Sequence, residues 1–137
     1  MIFVILDTNV LVSSFISENG IPAKILDICV DGRCYLLYSS ATMREYYDVL
    51  NRDKFNIQKH LVEILLDTIE KYGFKVKPLP TNIELKDKSD KKFYDLFLHC
   101  ASNTTYFVTG NIKDFPNNDH ILSPREMMQL LDSKDIY

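Results

Sequence analysis

The sequence predicts a single α/β domain over residues 1–137, built as three α/β/α layers with helices on both faces of a central parallel sheet. Three observations predict it. Short apolar runs of strand type recur at residues 2–6, 35–38 and 105–109. Between them, apolar residues fall at helical spacing, as with Phe93, Leu96, Phe97 and Cys100 at i, i+3, i+4 and i+7. No linker, repeat or charge block divides the 137 residues, a length that fits one compact domain. Strands alternating with helices give a doubly wound parallel sheet.

Residues 2–6, Ile-Phe-Val-Ile-Leu, are apolar without alternation, as expected of a strand buried on both faces. Asp7, Thr8 and Asn9 follow and suit a turn. Pro22 fits the first turn of a helix opening at Ile21, with Ile25, Ile28 and Cys29 inward and Asp31-Gly32 at its end. Residues 35–38 form a second strand. Ser39 then caps a helix whose apolar positions are Met43, Tyr46, Tyr47 and Leu50. Leu61, Ile64, Leu65, Thr68 and Ile69 mark another helix, stopped by Gly73. Residues 74–76 read as a third strand before a loop with Pro78 and Pro80. The Phe93 helix starts near Asp90. Residues 105–109 are a buried strand closed by Gly110-Asn111, and Ile121-Leu122 a last one. Ser123 and Pro124 supply the N-cap and first turn of a C-terminal helix.

Composition narrows the function. With 46% hydrophobic and 26% charged residues, 4 Gly and 5 Pro, the chain is not disordered, collagenous or of low complexity. Its 16 basic and 19 acidic residues give a net charge of −3, so a nucleic-acid role must use a local basic patch or metal ions held by acids. Cys29, Cys34 and Cys100 are odd in number and lack a CxxC pair. They suit neither a disulfide framework nor a zinc site, and are expected as small hydrophobes in a reducing cytosol. The first apolar run is too short for a signal peptide, and nothing approaches the ~20 apolar residues of a membrane span. A soluble, cytoplasmic protein without a membrane partner is expected.

In a doubly wound sheet ligands bind at the carboxyl ends of the strands. Asp7 follows the first strand, Glu45 lies early in the helix after the second, Asp90 opens the Phe93 helix, and Asn111 and Asp114 follow the late strand. All therefore face one rim. Two carboxylates ~4 Å apart repel by roughly 4 kcal/mol at an effective dielectric of 20. A hard divalent cation removes that conflict. Mg²⁺ takes one or two carboxylates plus waters and phosphate oxygens, and such an ion activates water against a phosphodiester. All-oxygen ligation argues against zinc. Asp7, Glu45 and Asp90, with Asp114, thus suggest metal-dependent phosphodiester hydrolysis. Each acid also has an ordinary reading: Asp7 as a turn or cap residue, Glu45 as a solvent-facing helix residue, Asp90 as an N-cap, Asp114 as a loop acid.

Five ordered blocks add a resemblance. Val4-Ile5-Leu6-Asp7-Thr8-Asn9-Val10-Leu11-Val12, the Glu45…Val49-Leu50-Asn51-Arg52-Asp53-Lys54-Phe55 stretch, Asp87-Lys88-Ser89-Asp90-Lys91-Lys92-Phe93-Tyr94-Asp95, Val108-Thr109-Gly110-Asn111-Ile112-Lys113-Asp114-Phe115-Pro116 and Ser123-Pro124-Arg125-Glu126 resemble the PIN domain family, in particular its branch of toxin components of toxin–antitoxin pairs. The resemblance implies a PIN-like, Rossmann-like fold and an endoribonuclease that cleaves single-stranded RNA with Mg²⁺ or Mn²⁺. It also implies a cognate antitoxin and a homodimer as partners. By position it makes Asp7, Glu45 and Asp90 the metal-holding acids, with Thr8 and Asn9 bracing Asp7 and Thr109 ending the strand at the metal rim. Where many members carry a fourth acid directly after Thr-Gly, this chain has Asn111, and Asp114 is the candidate for the missing charge. One-metal and two-metal chemistry both stay open. Asp95 reads as a rim acid or a surface acid. Lys86, Lys88, Lys91 and Lys92 read as phosphate contacts or a solvated run. Tyr46, Tyr47 and Tyr94 read as base-stacking or core residues.

Two rival classes remain. Asn111 favours a catalytically weak or inactive PIN-fold module that binds nucleic acid or protein. A phospho-acceptor receiver or an aspartyl phosphatase is disfavoured, because Asp7 is followed by Thr8 and Asn9 where those chemistries want paired acids. His60, His99 and His120 have no ligand spacing and read as packing or surface residues.

Overall fold

The structure is a computed structural model and describes residues 1–136. Five parallel strands form one sheet: β1 Phe3–Leu6, β2 Tyr35–Tyr38, β3 Phe74–Lys75, β4 Thr105–Val108 and β5 Ile121–Leu122, in the order β3-β2-β1-β4-β5. The helices are α1 Thr8–Ile16, α2 Ile21–Val30, α3 Ser40–Leu50, α4 Lys59–Tyr72, α5 Lys91–His99 and α6 Pro124–Ser133. They flank the sheet, as the alternation of apolar runs and helical stripes predicts. No helix among the described residues is long and apolar enough to cross a membrane.

The strand order matters for the site. The chain starts at the centre in β1, winds one way through β2 and β3, then crosses to β4 and β5 on the other side. The point where the winding reverses lies between β1 and β4. Leu6 pairs with Val108 there, so Asp7 and Thr109 emerge side by side. All four β4 residues are buried, as are Val4, Ile5 and Leu6 of β1. Their unbroken apolar runs follow from having helices on both faces.

Local signals explain most boundaries. Ser39 and Ser123 close capping boxes at α3 and α6, and proline opens α2 and α6. Phe93 and Phe97 lock α5 to the sheet. Phe93 stacks on Phe107 at 6.1 Å, and Phe115 meets Phe107 edge-on at 4.9 Å. Fully burying a side chain of this size contributes about 1.5–3 kcal/mol. Gly73 allows close approach: a Cβ there would lie 2.6 Å from the Ile69 carbonyl oxygen and 3.0 Å from that of Leu36.

Four expectations need correction. The expected turn at Asp7, Thr8 and Asn9 is the start of α1, with Asp7 as its N-cap. β-Branched Thr8, Val10 and Val12 weaken the helical signal locally, and tertiary burial of that segment overrides it. In α4, Leu61 and Ile64 are 42% and 58% exposed, whereas Val62, Leu65, Leu66 and Ile69 face inward. Both stripes have helical spacing, and packing against the neighbouring α2, α3 and β2 selects one. Tyr47 points outward, and the third strand covers only two residues. Cys29 and Cys34 are buried as expected, while Cys100 is half-buried.

Candidate active site

Asp7 sits at the hinge of the site because β1 ends at Leu6 and α1 begins at Thr8. Its side chain is 6% exposed. Oδ1 accepts from the Thr8 amide at 2.8 Å. Oδ2 accepts from the Thr109 hydroxyl at 2.7 Å and more weakly from Asn9 Nδ2 at 3.4 Å. Asn9 Oδ1 accepts in turn from the Gly110 amide at 3.0 Å, and Thr109 Oγ1 accepts from the Asn111 amide at 3.1 Å. The ends of β1 and β4 are thereby stitched together around one carboxylate. Burial pushes the Asp7 carboxyl above its ordinary range, against the hydrogen bonds from Thr109 and Thr8, and repulsion from Glu45 and Asp114 adds to the rise.

Glu45 reaches the same place from α3. Tyr46, next to it, is buried and donates its hydroxyl to the Leu6 carbonyl at 2.5 Å, which pins α3 to the end of β1. One Glu45 oxygen accepts from the Thr8 hydroxyl. The other meets Lys92 Nζ at 2.6 Å. Lys92 is therefore an ion-pair partner across 47 positions, a role that its place in a basic run conceals.

Asp90 ends the 3₁₀ turn Lys88–Asp90, immediately before α5. It holds the N-cap position of α5, as its ordinary reading has it, but its carboxylate makes no capping bond. Asp87 caps the turn instead, accepting from the Ser89 amide at 2.9 Å. Burial raises the Asp90 carboxyl to about 6, helped by the negative charges of Asp7, Asp87, Asp114 and Glu45. Asp114, in the exposed turn Ile112–Asp114, makes its charge felt at both Asp7 and Asp90. Glu45 and Asp114 thus act on the Asp7 and Asp90 carboxyls, and Asp7 acts on Asp90 as well. Asn111 lies exposed beside it.

Asp95 faces elsewhere. Oδ1 accepts from the Thr81 hydroxyl at 2.6 Å and the Thr81 amide at 3.3 Å, and Oδ2 meets Lys91 Nζ at 2.8 Å. Burial raises its carboxyl, but the bonds from Lys91 and Thr81 outweigh this and hold it low. Its geometry is that of an anchor tying the loop before α5 to that helix. Tyr46 and Tyr94 belong to the core, the latter packing on Phe97 and Phe115. Two histidines pack as expected: His120 Nδ1 lies 2.9 Å from the Thr105 carbonyl, and His99 Nδ1 accepts from the Leu79 amide.

The donors at the rim are oxygen only and their charge is not balanced, which fits a hard divalent cation. Among the described residues no group of three His, Cys, Asp or Glu side chains is placed to hold a metal ion. Glu45 is neutralised by Lys92, which leaves Asp7 and Asp90 with excess charge. One or two carboxylates, with waters, are what Mg²⁺ takes. Beside Glu45 lies a cleft of about 580 Å³ lined by Arg44, Arg52, Ser89 and Lys92. Neither arginine was singled out as functional from the sequence, although Arg44 adjoins Glu45 and Arg52 lies in the second family-like block.

A family profile described as PIN domain matches residues 3–113. The chain belongs to the PIN domain family. No curated protein and no solved structure matches it. PIN domains are generally nucleases, that is hydrolases, and typically use divalent metal ions. In this PIN domain the matched stretch contains Asp7, Glu45, Asp90 and Asn111 and stops one residue short of Asp114.

Proposed function

We propose that this PIN domain is a Mg²⁺- or Mn²⁺-dependent endoribonuclease for single-stranded RNA, acting as the toxin of a toxin–antitoxin pair. One observation supports the catalytic reading: Asp7 leaves the switch point of a parallel sheet, and its charge, with those of Glu45 and Asp114, adds to the burial that raises Asp90 to about 6. The toxin role, with a cognate antitoxin as partner, is supported by the five ordered blocks.

Asp7, Glu45 and Asp90 are the residues assigned to hold the ion, which when bound supplies an activated water and stabilises charge on the phosphodiester. The chain's own groups prepare for it. The Thr8 amide and Thr109 hydroxyl fix both oxygens of the Asp7 carboxylate. The Thr8 hydroxyl orients Glu45 while Tyr46 holds α3 in place. Asp114 supplies the charge that Asn111 lacks. Lys92 offsets Glu45 and stands at the cleft wall, where a phosphate oxygen can become its second partner.

The test is cleavage of single-stranded RNA with Mn²⁺ by wild type and by Asp7→Asn. Loss of cleavage in the variant is expected, and equal cleavage by both rejects the assignment. For the toxin role, expression in a bacterial host should arrest growth, and Asp7→Asn should relieve the arrest. One observation favours a non-catalytic binding module: among the described residues no three acids are grouped to hold an ion, and Glu45 is paired with Lys92. Calorimetric titration with Mn²⁺ separates the readings, since a module without catalysis takes up no ion.

A further inference from the structure

The basic run at residues 86–92 does not make one continuous cationic surface: two of its four lysines are paired, while Lys86 and Lys88 are exposed without an ion pair among the described residues. Lys91 is bound to Asp95 and Lys92 to Glu45. Other residues, far apart in sequence, do make one. Arg44 in α3 and Arg52 just beyond it line the cleft beside Glu45. A second cleft of about 680 Å³ runs along the segment after β3 and contains Lys75 and Lys77. The two clefts share Ser40, Ala41 and Lys92 in their walls, so they join into one trough past Glu45.

Arg44, Arg52, Lys75 and Lys77 are exposed, and none makes an ion pair among the described residues. On the trough walls, Glu45 and Asp95 are neutralised by their lysine partners, which leaves Asp48 there, and Glu70 in a neighbouring cleft shared by Arg44 and Lys75, against the four free cations. A chain of net charge −3 thus carries a locally positive trough beside its acidic rim. Charge of one sign lining a cleft focuses the field on a ligand of the other sign. Free cations at both ends fit a chain-like anion better than a small one. Arginine grips phosphate through paired N–H donors and lysine as a point charge. Pro78 and Pro80 in the second cleft restrict the backbone that follows the lysines.

We propose that this trough holds the phosphodiester backbone of single-stranded RNA where it runs past Glu45. Arg44 and Arg52 take one flank, Lys75 and Lys77 the other, and Lys92 lies between them. The inference rests on the nuclease reading for the identity of the strand. The placement of the cations stands on geometry alone.

Salt dependence tests it. A labelled single-stranded RNA is titrated with protein in EDTA, where no cleavage occurs, between 50 and 200 mM KCl. Four phosphate contacts give a log–log slope of about −2.8, or about 50-fold weaker binding across that range. Arg44→Gln/Arg52→Gln and Lys75→Gln/Lys77→Gln each remove two contacts, and the loss should fall to about 7-fold. Lys24→Gln/Lys59→Gln, on exposed parts of α2 and α4, should behave as wild type. Pair variants that keep the wild-type slope overturn the trough, and so does a control that falls equally. Cleavage with Mn²⁺, measured in parallel, keeps the two readings apart. Cleavage with unchanged slopes removes the trough alone; trough-dependent binding without cleavage removes the nuclease reading alone.

Discussion

Thr109→Val removes one hydroxyl and nearly keeps the shape of the side chain. Thr109 is fully buried, and its Oγ1 donates to Asp7 Oδ2 at 2.7 Å. A hydrogen bond to a charged group contributes about 1.5–3 kcal/mol. The Asn111 amide also loses its acceptor, but Asn111 is exposed and water replaces the bond at little cost. The expected loss at pH 7 is about 2 kcal/mol, or roughly 7 °C in Tm for a chain of this length. The sign with pH follows from Asp7. Its folded carboxyl already lies above the unfolded value, so its charge opposes folding above that value. Removing a bond that favours the charged form raises it further. The loss should be full at pH 7 and shrink as pH falls through the folded value and Asp7 becomes neutral. Urea denaturation in EDTA at pH 7 and pH 4.5 measures this, and the cycle with Asp7→Asn should show a coupling above about 1 kcal/mol. A loss below about 0.5 kcal/mol at pH 7, or an equal loss at both pH values, refutes the claim that this hydroxyl holds a charged Asp7.

Three further outcomes are expected. Asp90→Asn should stabilise the metal-free protein at pH 7. A rise from 3.8 to about 6 corresponds to about 3 kcal/mol, which solvent screening of this half-exposed group reduces to about 1 kcal/mol. Since the folded carboxyl lies above the unfolded one, wild-type stability falls as pH rises from about 4 to about 6. The gain should vanish near pH 4, and a variant no more stable than wild type at pH 7 contradicts the crowding of the acids. Tyr46→Phe should cost about 1–3 kcal/mol by leaving the Leu6 carbonyl without its partner, and should lower cleavage by loosening Glu45. An unchanged urea midpoint contradicts it. Phe93→Ala should cost about 3–5 kcal/mol through the cavity beside Phe107, read from the same transition.

Much of the fold was legible locally. The unbroken apolar run of β1 reads as a strand covered on both faces, and Ser39, Ser123 and the prolines mark helix starts through short-range chemistry. The alternation of strands and helices then placed Asp7, Glu45 and Asp90 at the carboxyl rim before any contact was known. α1 was missed because its β-branched residues are poor helix formers and only burial decides for helix. The inward face of α4 was misread because two stripes satisfy the same period.

The sequence by itself therefore determined most of the elements, their parallel arrangement and the place of each acid at a strand or helix end, since each follows from patterns a few residues long. The tertiary structure alone decided that Thr109 holds Asp7 across 102 positions, that Lys92 neutralises Glu45, and that Arg44 and Arg52 line one cleft and Lys75 and Lys77 a second that shares wall residues with it. Those pairings depend on how the strands are ordered and how the helices lie across them. A charged side chain has no periodic mark that names a distant partner.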